Sequence, residues 1–389
     1  MTYDFDSIID RRDTNSLKWN VGPDELPMWV ADMDFTTAPA ITETVLAKGL
    51  AGVFGYGIVP DTFRASIARW WWARYGWPVE PGWVGFCTGV VPAIASIIRT
   101  LVPPGGGVIV QPPVYDSFYP AIADSGRTVV ANNLWYDDGD FLIDWPDLEI
   151  KLADPKTRAL LLCNPHNPTG HIWSSGDLAR IGDLAALHRV LVIADEIHCD
   201  LTEPGRIYSP FAAVNSTGIP QVITVVSPSK TFNIPGLATA ATIIPDETLR
   251  QVVAAGLRRD GLTSPNSFAI EATIAAYSQG ADWLDELRTQ IWRNKRRLVS
   301  FIEANAPELK VTVSPATYLV WIDCAALTDN ATEFRQFLRE KTGLVVNPGH
   351  IYGDNAKAFI RMNVACPPRL LEDGLARLAR GVAAWKSRA

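Results

Sequence analysis

Short apolar runs alternate with amphipathic segments through the first two thirds of the chain. Each run has the length of a buried strand, and residues 174–188, which lie between two such runs, have the spacing of an amphipathic helix. Strands that alternate with helices predict an α/β fold with a mostly parallel sheet covered by helices on both faces. The predicted strands are residues 83–87, 108–111, 128–131, 159–163, 190–194 and 222–226.

The pattern changes near residue 270, where longer helices replace the alternation of strands and helices. Residues 281–305 form the longest predicted helix. After it come short predicted strands near Val311, at 318–322 and at 359–364, and a closing helix that ends at Trp385. This order is typical of a separate α+β unit. We therefore expect a large domain over residues 46–270 and a smaller α+β domain built from residues 1–45 and 271–389.

Composition and charge exclude several classes of protein. Hydrophobic residues make up 48% of the 389 residues and charged residues 20%, which is typical of a globular protein. The net charge is -7 and no long basic run occurs, so the chain lacks the basic face that nucleic-acid binding needs. No apolar run approaches the ~18 residues of a membrane span, and the acidic N-terminus does not resemble a signal peptide. We expect a cytoplasmic protein that binds neither nucleic acid nor membrane.

The cysteines and histidines do not form a metal-binding pattern. The five cysteines are scattered, odd in number and mostly inside or beside apolar runs, which favours reduced, buried thiols. His166 and His171 are five residues apart, but they lie in a loop rich in proline and glycine and not on one helical face. We expect no metal site.

Lys230 lies in the heptapeptide 227–233, directly after the predicted strand 222–226. This is just beyond the carboxyl end of a strand, where α/β sheets place ligand chemistry. A lysine in a dry pocket can lose its proton and condense with an aldehyde, and two hydroxyls within three residues of it suit an anion. Pyridoxal phosphate (PLP) presents both an aldehyde and an anion. The heptapeptide alone leaves a second interpretation open, a surface lysine that follows a strand.

A phosphate-binding turn is predicted where the strand 83–87 runs through Gly89 into a helix that contains Pro92 in its first turn. Free N–H groups at a helix start bind phosphate, and glycine lets the phosphate approach the backbone closely. An ordinary turn between a strand and a helix remains the alternative. The chain contains neither Gly-x-Gly-x-x-Gly nor Gly-Lys-Ser/Thr, so the sequence argues against dinucleotide and P-loop nucleotide sites.

Polar residues also end the other predicted strands. Asp195 follows the strand 190–194 and can pair with a protonated pyridine nitrogen, although an ordinary salt bridge explains it equally well. Asn167 lies in a loop with two Asn-Pro steps, which restrain the backbone before each proline. Tyr115 is suited to stack on a flat ring. Arg361 lies in an apolar strand, where a lone charge is costly, so we expect it to meet a carboxylate of the protein or of a substrate.

Taken together, these motifs resemble the fold-type I PLP enzymes, or aspartate aminotransferase superfamily, and within it the bacterial C–S β-lyases, also called cystathionine β-lyases. The motifs are Ile9-Asp10-Arg11-Arg12, Trp29-Val30-Ala31-Asp32-Met33-Asp34, Gly55-Tyr56-Gly57, Gly89-Val90-Val91, Pro113-Val114-Tyr115, Asn164-Pro165-His166-Asn167-Pro168-Thr169-Gly170, Asp195-Glu196-Ile197-His198, Ser227-Pro228-Ser229-Lys230-Thr231-Phe232-Asn233 and Arg361-Met362-Asn363. One such motif would be a weak indication, but the full set in family order is specific. The resemblance implies a mostly parallel sheet of the seven-stranded type in the large domain.

The resemblance also implies roles for individual residues. Lys230 is expected to form the Schiff base, Asp195 to pair with the pyridinium nitrogen and Tyr115 to stack on the ring, and these three are the expected catalytic residues. The other expected cofactor-binding residues are Gly89, Val90, Val91, Asn167, His198, Ser227 and Ser229, together with Tyr56 from the second subunit of a homodimer with shared active sites. The expected substrate-binding residues are Arg361, which clamps the α-carboxylate, and Ala31, Asn167 and Tyr56.

Two positions differ from the pattern of the aminotransferases. His198 stands where they usually have a tyrosine, and Ala238 stands where they place an arginine that holds the phosphate. Both differences resemble the lyase branch. They leave the affinity for the phosphate group as an open question.

The function implied by the resemblance is a PLP-dependent β-elimination. It would cleave the C–S bond of L-cystathionine or a related cysteine S-conjugate to a thiol such as homocysteine, pyruvate and ammonia, as in methionine biosynthesis. An aminotransferase that uses an amino acid and a 2-oxo acid needs the same residues and stays open as the alternative. A PLP-binding regulator is disfavoured, because that class carries a DNA-binding domain ahead of the fold and the first motif here begins at Ile9. The preferred sulfur substrate and the acid that protonates the leaving thiolate stay open.

Overall fold

The computed structural model describes residues 2–215 and 221–388. The strands in these residues are β1 Leu26–Pro27, β2 Val84–Cys87, β3 Gly107–Val110, β4 Thr128–Ala131, β5 Trp135–Asp137, β6 Asp140–Leu142, β7 Thr157–Cys163, β8 Leu191–Asp195, β9 Val222–Val226, β10 Ala240–Ile243, β11 Lys310–Val311, β12 Leu319–Asp323, β13 Leu344–Val345, β14 Asn347–Pro348 and β15 Phe359–Asn363. All six strands predicted for the large sheet are present, with ends that shift by one or two residues at most.

The helices of the described residues are α1 Pro39–Ala51, α2 Asp61–Tyr75, α3 Val90–Leu101, α4 Phe118–Ala123, α5 Trp145–Ala153, α6 Ser175–His188, α7 Phe211–Val214, α8 Pro228–Thr231, α9 Glu247–Arg259, α10 Ala269–Gln279, α11 Ala281–Asn305, α12 Ala331–Thr342 and α13 Pro368–Lys386. α6 shows why the sequence starts a helix there: Ser174 and Asp177 form a reciprocal capping box at its first turn. None of the helices in the described ranges is long and apolar enough to cross a membrane.

The large sheet has seven strands in the order β2-β10-β9-β8-β7-β3-β4. β10 runs antiparallel to both of its neighbours, whereas the pairs from β9 to β4 are parallel. This agrees with the predicted mostly parallel α/β sheet. The sequence pattern does not predict β10, because its four residues include two alanines, which have a low preference for strands.

Helices cover both faces of this sheet. On β7, Leu160 and Leu162 pack into a core with residues of α2, α6 and α10, whereas Leu161 and Cys163 pack into a second core with residues of α3 and α9. A strand that is buried on both faces needs apolar residues at every position. This double burial explains the uninterrupted apolar runs of the sequence.

A second sheet, in the order β11-β12-β15-β14, forms with α11 to α13 around a third apolar core. β1 pairs in parallel with β13, so the N-terminal segment lies beside the C-terminal part of the chain. Trp19 and Met28 from the N-terminal segment belong to the same core as Leu298 and Phe334. These contacts support the predicted small domain, whose boundaries stay a prediction.

The register of the parallel strands brings the site loops together. Cys163, the last residue of β7, pairs with Asp195, the last residue of β8, and Asp195 pairs with Val225 near the end of β9. The carboxyl ends of three adjacent strands are therefore level. The loops that follow them lie at one edge of the sheet.

Candidate active site

A cavity of about 260 Å³ lies at this edge of the sheet. It is lined by Ala31, Thr88, Gly89, Val90, Val91, Pro92, Tyr115, Cys163, Asn167, Asp195, Ile197, His198, Ser227, Ser229, Lys230, Pro235, Ala238 and Thr239. All the predicted site residues are in this set except Tyr56 and Arg361. A segment from the N-terminal part of the chain and the loops that follow β2, β3, β7, β8 and β9 thus meet in one space, as the motifs predict.

Lys230 lies on α8, one turn of helix that begins two residues after β9. Its Nζ donates a hydrogen bond to the carbonyl oxygen of Ala31 at 2.7 Å. Burial is the main cause that lowers the pKa of Lys230 to about 8, and the positive charge of Arg361 adds to it, whereas Asp32 and Asp195 act in the opposite direction. A larger fraction of this amine is therefore neutral near pH 7 than of an exposed lysine.

Asp195 ends β8 with its side chain buried. Burial raises the pKa of Asp195 to about 7, although a hydrogen bond from the Ile197 N–H at 3.1 Å and the charge of Lys230 both favour the ionised form. Within the described ranges, this carboxyl group forms no ion pair with an arginine or lysine that would explain its burial as a salt bridge. A cationic ligand group placed beside it would restore the ionised form.

The amino end of α3 borders the same cavity. Gly89 is the N-cap and Val90 the first residue of this helix, so the N–H groups of its first turn have no partner within the helix. Across the cavity, Ser227 Oγ accepts a hydrogen bond from the Ser229 N–H at 3.1 Å and donates one to the Thr239 carbonyl at 2.6 Å. Free N–H groups and fixed hydroxyls are suited to a phosphate.

Arg361 lies on β15 and is buried beside the cavity. Its guanidinium donates to the Asn167 Oδ1 at 3.0 Å and to the Trp29 carbonyl at 3.0 Å, and it lies over the ring of Tyr352. These partners are neutral, and Arg361 Nε has no hydrogen-bond partner among the described residues. The first of the two predicted partners, a carboxylate of the protein, is not found there, which leaves a ligand carboxylate as the expected partner.

Two aromatic residues also face the cavity. Burial lowers the pKa of His198 to about 3, helped by the charges of Lys230 and Arg361, so this imidazole stays neutral. Its Nδ1 is buried and has no partner among the described residues. Burial raises the pKa of Tyr115, so its phenol keeps its proton.

Tyr56 lies away from the cavity of its own chain. Its side chain is fully exposed, and it lies among exposed apolar side chains of α1 and the segment that follows, namely Leu46, Leu50, Val53, Phe54 and Ile58. Such a patch is typical of an interface with another protein. Tyr56 is not among the described residues that line the cavity of a single chain.

Asn233 and Asn363 lie in the motifs of the sequence, but the sequence predicts no role for either side chain. Asn363 Nδ2 donates to the carbonyls of Val30 and Asp32, both at 2.6 Å, so it holds the two residues on either side of Ala31. Asn233 has a left-handed backbone conformation. Its side-chain Oδ1 accepts a hydrogen bond from the Met33 N–H, and its Nδ2 donates one to the Met33 carbonyl. Asparagine tolerates this conformation, and its position three residues after Lys230 is the signal that could have found it.

The donors and acceptors of the cavity fit PLP. The amine of Lys230 suits the aldehyde, the carboxyl group of Asp195 suits a ring nitrogen, and the amino end of α3 with Ser227 suits a phosphate. His198 Nδ1 and Arg361 Nε are buried polar atoms that lack partners in the described part of the chain, and a bound ligand can supply them.

Comparison with known proteins agrees with this geometry. The chain is 40% identical over 380 residues to cystathionine beta-lyase PatB of Bacillus subtilis (strain 168), covering 96% of this chain and 98% of that protein. It is 36% identical over 390 residues to protein MalY of Escherichia coli (strain K12), covering 98% and 99%. The fold matches that of cystalysin from Treponema denticola, whose structure contains a PLP cofactor, with a TM-score of 0.94, 32% identity and coverage of 99% and 100%.

The likeness extends to a whole family. The family model "Aminotransferase class I and II" matches residues 30–378, which include every element around the cavity. The chain therefore belongs to the class I and II aminotransferase family.

Proposed function

We propose that this protein is a PLP-dependent carbon–sulfur lyase that cleaves the Cβ–S bond of L-cystathionine or a related cysteine S-conjugate. The products are a thiol, which is homocysteine in the case of cystathionine, with pyruvate and ammonia. The observation that carries the proposal is the single cavity that unites Lys230, Asp195 and the amino end of α3 next to Arg361, in a chain that is 40% identical along its length to a cystathionine beta-lyase.

When bound, PLP supplies an aldehyde that captures the substrate amine and a ring that withdraws electrons from Cα. Lys230 is the side chain that would hold the aldehyde carbon before the substrate arrives. Its free amine then takes the proton from Cα as a general base. A pKa of about 8 suits this role, because the amine is neutral in an appreciable fraction of molecules near pH 7 and basic enough to hold the proton.

Asp195 would keep a proton on the ring nitrogen. Its pKa of about 7 already includes the influence of Lys230 and describes the buried carboxyl group with no ring cation beside it. A pyridinium placed next to it lowers that pKa, because opposite charges at close range favour the ionised carboxylate. The carboxylate of Asp195 would therefore stay ionised beside a ring nitrogen and would favour its protonated form.

Arg361 would bind the substrate α-carboxylate. Its guanidinium is fixed by Asn167 and the Trp29 carbonyl, and its Nε has no partner among the described residues. An arginine that is already oriented can bind a carboxylate through two parallel hydrogen bonds without losing further side-chain freedom. The substrate would thereby be held beside the cavity that Lys230 lines, and His198 and Tyr115 also line this cavity.

The phosphate would be held by Ser229, by the N–H groups of Gly89, Val90 and Val91, and by Ser227 once its hydroxyl proton turns from the Thr239 carbonyl toward the phosphate. Ala238, which lines the cavity, supplies no positive charge at the position where aminotransferases place an arginine. We therefore expect hydroxyls and the helix start to provide most of the affinity from within one chain.

We also propose a cytoplasmic homodimer with shared active sites that serves methionine biosynthesis. The exposed apolar patch around Tyr56 supports a second copy of the chain as the partner. In this arrangement Tyr56 of one subunit would donate a hydrogen bond to the phosphate in the site that contains Lys230 of the other subunit. It would also line the substrate site there. Within the described part of a single chain, no contact gives Tyr56 such a role.

The test is an assay that separates elimination from transamination. Purified protein with added PLP is supplied with cystathionine, with cystine, and with an amino acid and 2-oxo acid pair, and pyruvate, thiol and new amino acid are measured separately. Equal amounts of pyruvate and thiol from cystathionine are expected. Faster transamination than elimination on every sulfur amino acid would instead favour the aminotransferase, which needs the same cavity residues.

A further inference from the structure

The helix that carries Lys230 is too short to be stable by itself. α8 has four residues, Pro228–Thr231, whereas isolated helices need several turns to form in water. The direction of the Lys230 side chain therefore depends on the contacts that hold the two ends of α8. Ser227 holds the first end through its bonds to the Ser229 N–H and the Thr239 carbonyl.

The second end of α8 is held by a buried carboxyl group. Thr231 Oγ1 donates a hydrogen bond to Asp200 Oδ2 at 2.9 Å, and both side chains are buried. Asp200 lies five residues after Asp195, in the segment that follows β8. One hydrogen bond thus joins the segment of Asp195 to the segment of Lys230.

The other oxygen of Asp200 is held by α2. Asp200 Oδ1 accepts from Trp70 Nε1 at 3.0 Å and from the hydroxyl of Tyr75. Arg74, on the same helix, pairs with Asp285 instead. A buried carboxyl group that is held by neutral donors costs more desolvation than an apolar side chain of similar size, so packing alone does not explain it.

We infer that Asp200 and Thr231 are positioning residues that fix the Lys230 amine relative to Asp195. The inference rests on the proposed function only in that the amine has a cofactor and a substrate proton to reach. Neither residue lines the cavity, so each acts through its neighbour. The competing explanation is that Asp200 only attaches α2 to the sheet.

The two explanations predict different effects when hydrogen-bond donors are removed from opposite sides of Asp200. Thr231→Val removes the hydroxyl on the side of Lys230, Thr231→Ser keeps it, and Tyr75→Phe removes a hydroxyl on the side of α2 while Trp70 still holds the same oxygen. We expect Thr231→Val to lower kcat by roughly 10- to 100-fold, the order of loss that a misplaced catalytic group causes, with a much smaller change in KM. Thr231→Ser and Tyr75→Phe should keep near-normal kcat.

A second readout does not depend on any substrate. Apoprotein of each variant is mixed with PLP, and the rate at which Lys230 captures the aldehyde is followed by absorbance and verified by borohydride trapping. Thr231→Val should slow this capture, whereas Thr231→Ser and Tyr75→Phe should not. Equal behaviour of Thr231→Val and Tyr75→Phe in both readouts, or a failure of serine to restore the rate, would overturn the inference.

The same variants also distinguish a failure of the positioning role from a failure of the lyase proposal. If the wild-type protein eliminates no thiol but Thr231→Val still slows capture relative to Tyr75→Phe, the positioning role stands and the lyase proposal fails. If Thr231→Val does not fold, Thr231→Ala supplies the same comparison without a methyl group against the carboxyl oxygen. Its capture rate must then be lower than that of Thr231→Ser for the inference to hold.

Discussion

The amine of Lys230 lies 2.7 Å from the carbonyl oxygen of Ala31, a residue 199 positions earlier in the chain. The same carbonyl accepts a hydrogen bond from the hydroxyl of Tyr318 at 3.0 Å. Three distant segments therefore meet at one oxygen atom. This contact holds the amine at the edge of the cavity, and burial keeps the pKa of Lys230 low.

The low pKa of Lys230 predicts how PLP capture depends on pH. At a pH below its pKa, the amine is protonated and is not a nucleophile. Burial lowers the pKa of Lys230 from 10.5 to about 8. The rate of capture by the apoprotein should therefore rise up to about pH 8 and then level off. Absorbance-based kinetics across a pH series, with a free lysine derivative as the reference, measures this. A profile that parallels the reference would show an unperturbed amine.

Replacement of Lys230 by alanine should abolish both turnover and the covalent attachment of PLP. The reason is that Lys230 is the lysine whose Nζ lies at the cavity. Borohydride reduction followed by peptide mapping locates the modified residue in the wild type and in the variant. Lys295 provides a matched control, since it is also buried with a pKa lowered to about 7, but its Nζ is bonded to carbonyls around Ser314 outside the cavity. Labelling of Lys295 in the wild type would contradict the assignment.

Asp195→Asn should make the apoprotein more stable at neutral and higher pH. In the folded state the pKa of Asp195 is raised to about 7, above its usual value of 3.8. Between pH 3.8 and about 7, this carboxyl group is therefore protonated in the folded protein but ionised in the unfolded chain. Stability from this group is therefore lost as pH rises from about 4 to 7, and asparagine avoids the loss.

We expect the Asp195→Asn gain to be roughly 1–4 kcal/mol in the free energy of unfolding near pH 8, and to shrink as pH falls toward 4. Denaturant unfolding of the apoproteins at several pH values measures it, with the exposed Asp61→Asn as a control. The same variant should lose several orders of magnitude in elimination rate, because a neutral pyridine is a poor electron sink. A stability gain that is independent of pH would point to packing and not to ionisation.

Arg361→Lys should weaken substrate binding even though it keeps the positive charge. A lysine can neither bind a carboxylate through two parallel bonds nor contact both Asn167 and the Trp29 carbonyl as the guanidinium does. We expect kcat/KM to fall by about 10- to 100-fold, mostly through KM, since each lost charge-assisted bond is worth about 1.5–3 kcal/mol. Steady-state kinetics with cystathionine tests this, and an amine substrate without a carboxylate should show little difference between the two proteins.

The shared site predicts that two inactive variants restore each other. Lys230→Ala lacks the amine, and Tyr56→Asp places a carboxylate where the phosphate would lie, so each should be nearly inactive alone. In a heterodimer, the Lys230→Ala subunit supplies an intact Tyr56 to the partner that keeps Lys230. Random pairing of equal amounts should restore roughly a quarter of the wild-type sites.

Differential tags confirm that heterodimers have formed, and each variant refolded by itself is the control. If Tyr56 serves its own chain, every site in the mixture stays defective. Mixtures with no more activity than the separate variants would then refute the shared site.

Six of the seven strands of the large sheet, and the edge at which its polar residues lie, could be predicted from the sequence pattern. β7, β8 and β9 are apolar runs because they are buried on both faces, and that pattern is local to each strand. Since parallel strands end at the same edge, the sequence pattern is enough to predict that Asn167, Asp195 and Lys230 lie together. The order of the motifs along the chain indicated the family of the site, and all three residues line one cavity.

What surrounds those residues depends on packing between distant segments of the chain. Three sets of hydrogen bonds join positions far apart in the chain. They are the bonds of Arg361 to neutral partners, those of Asn363 to the residues on either side of Ala31, and the bond between Thr231 and Asp200. The exposure of Tyr56 likewise depends on how the whole chain packs. Periodicity and spacing report local conformation, whereas these contacts arise only when distant segments are packed against one another, so they could not be predicted from the sequence pattern.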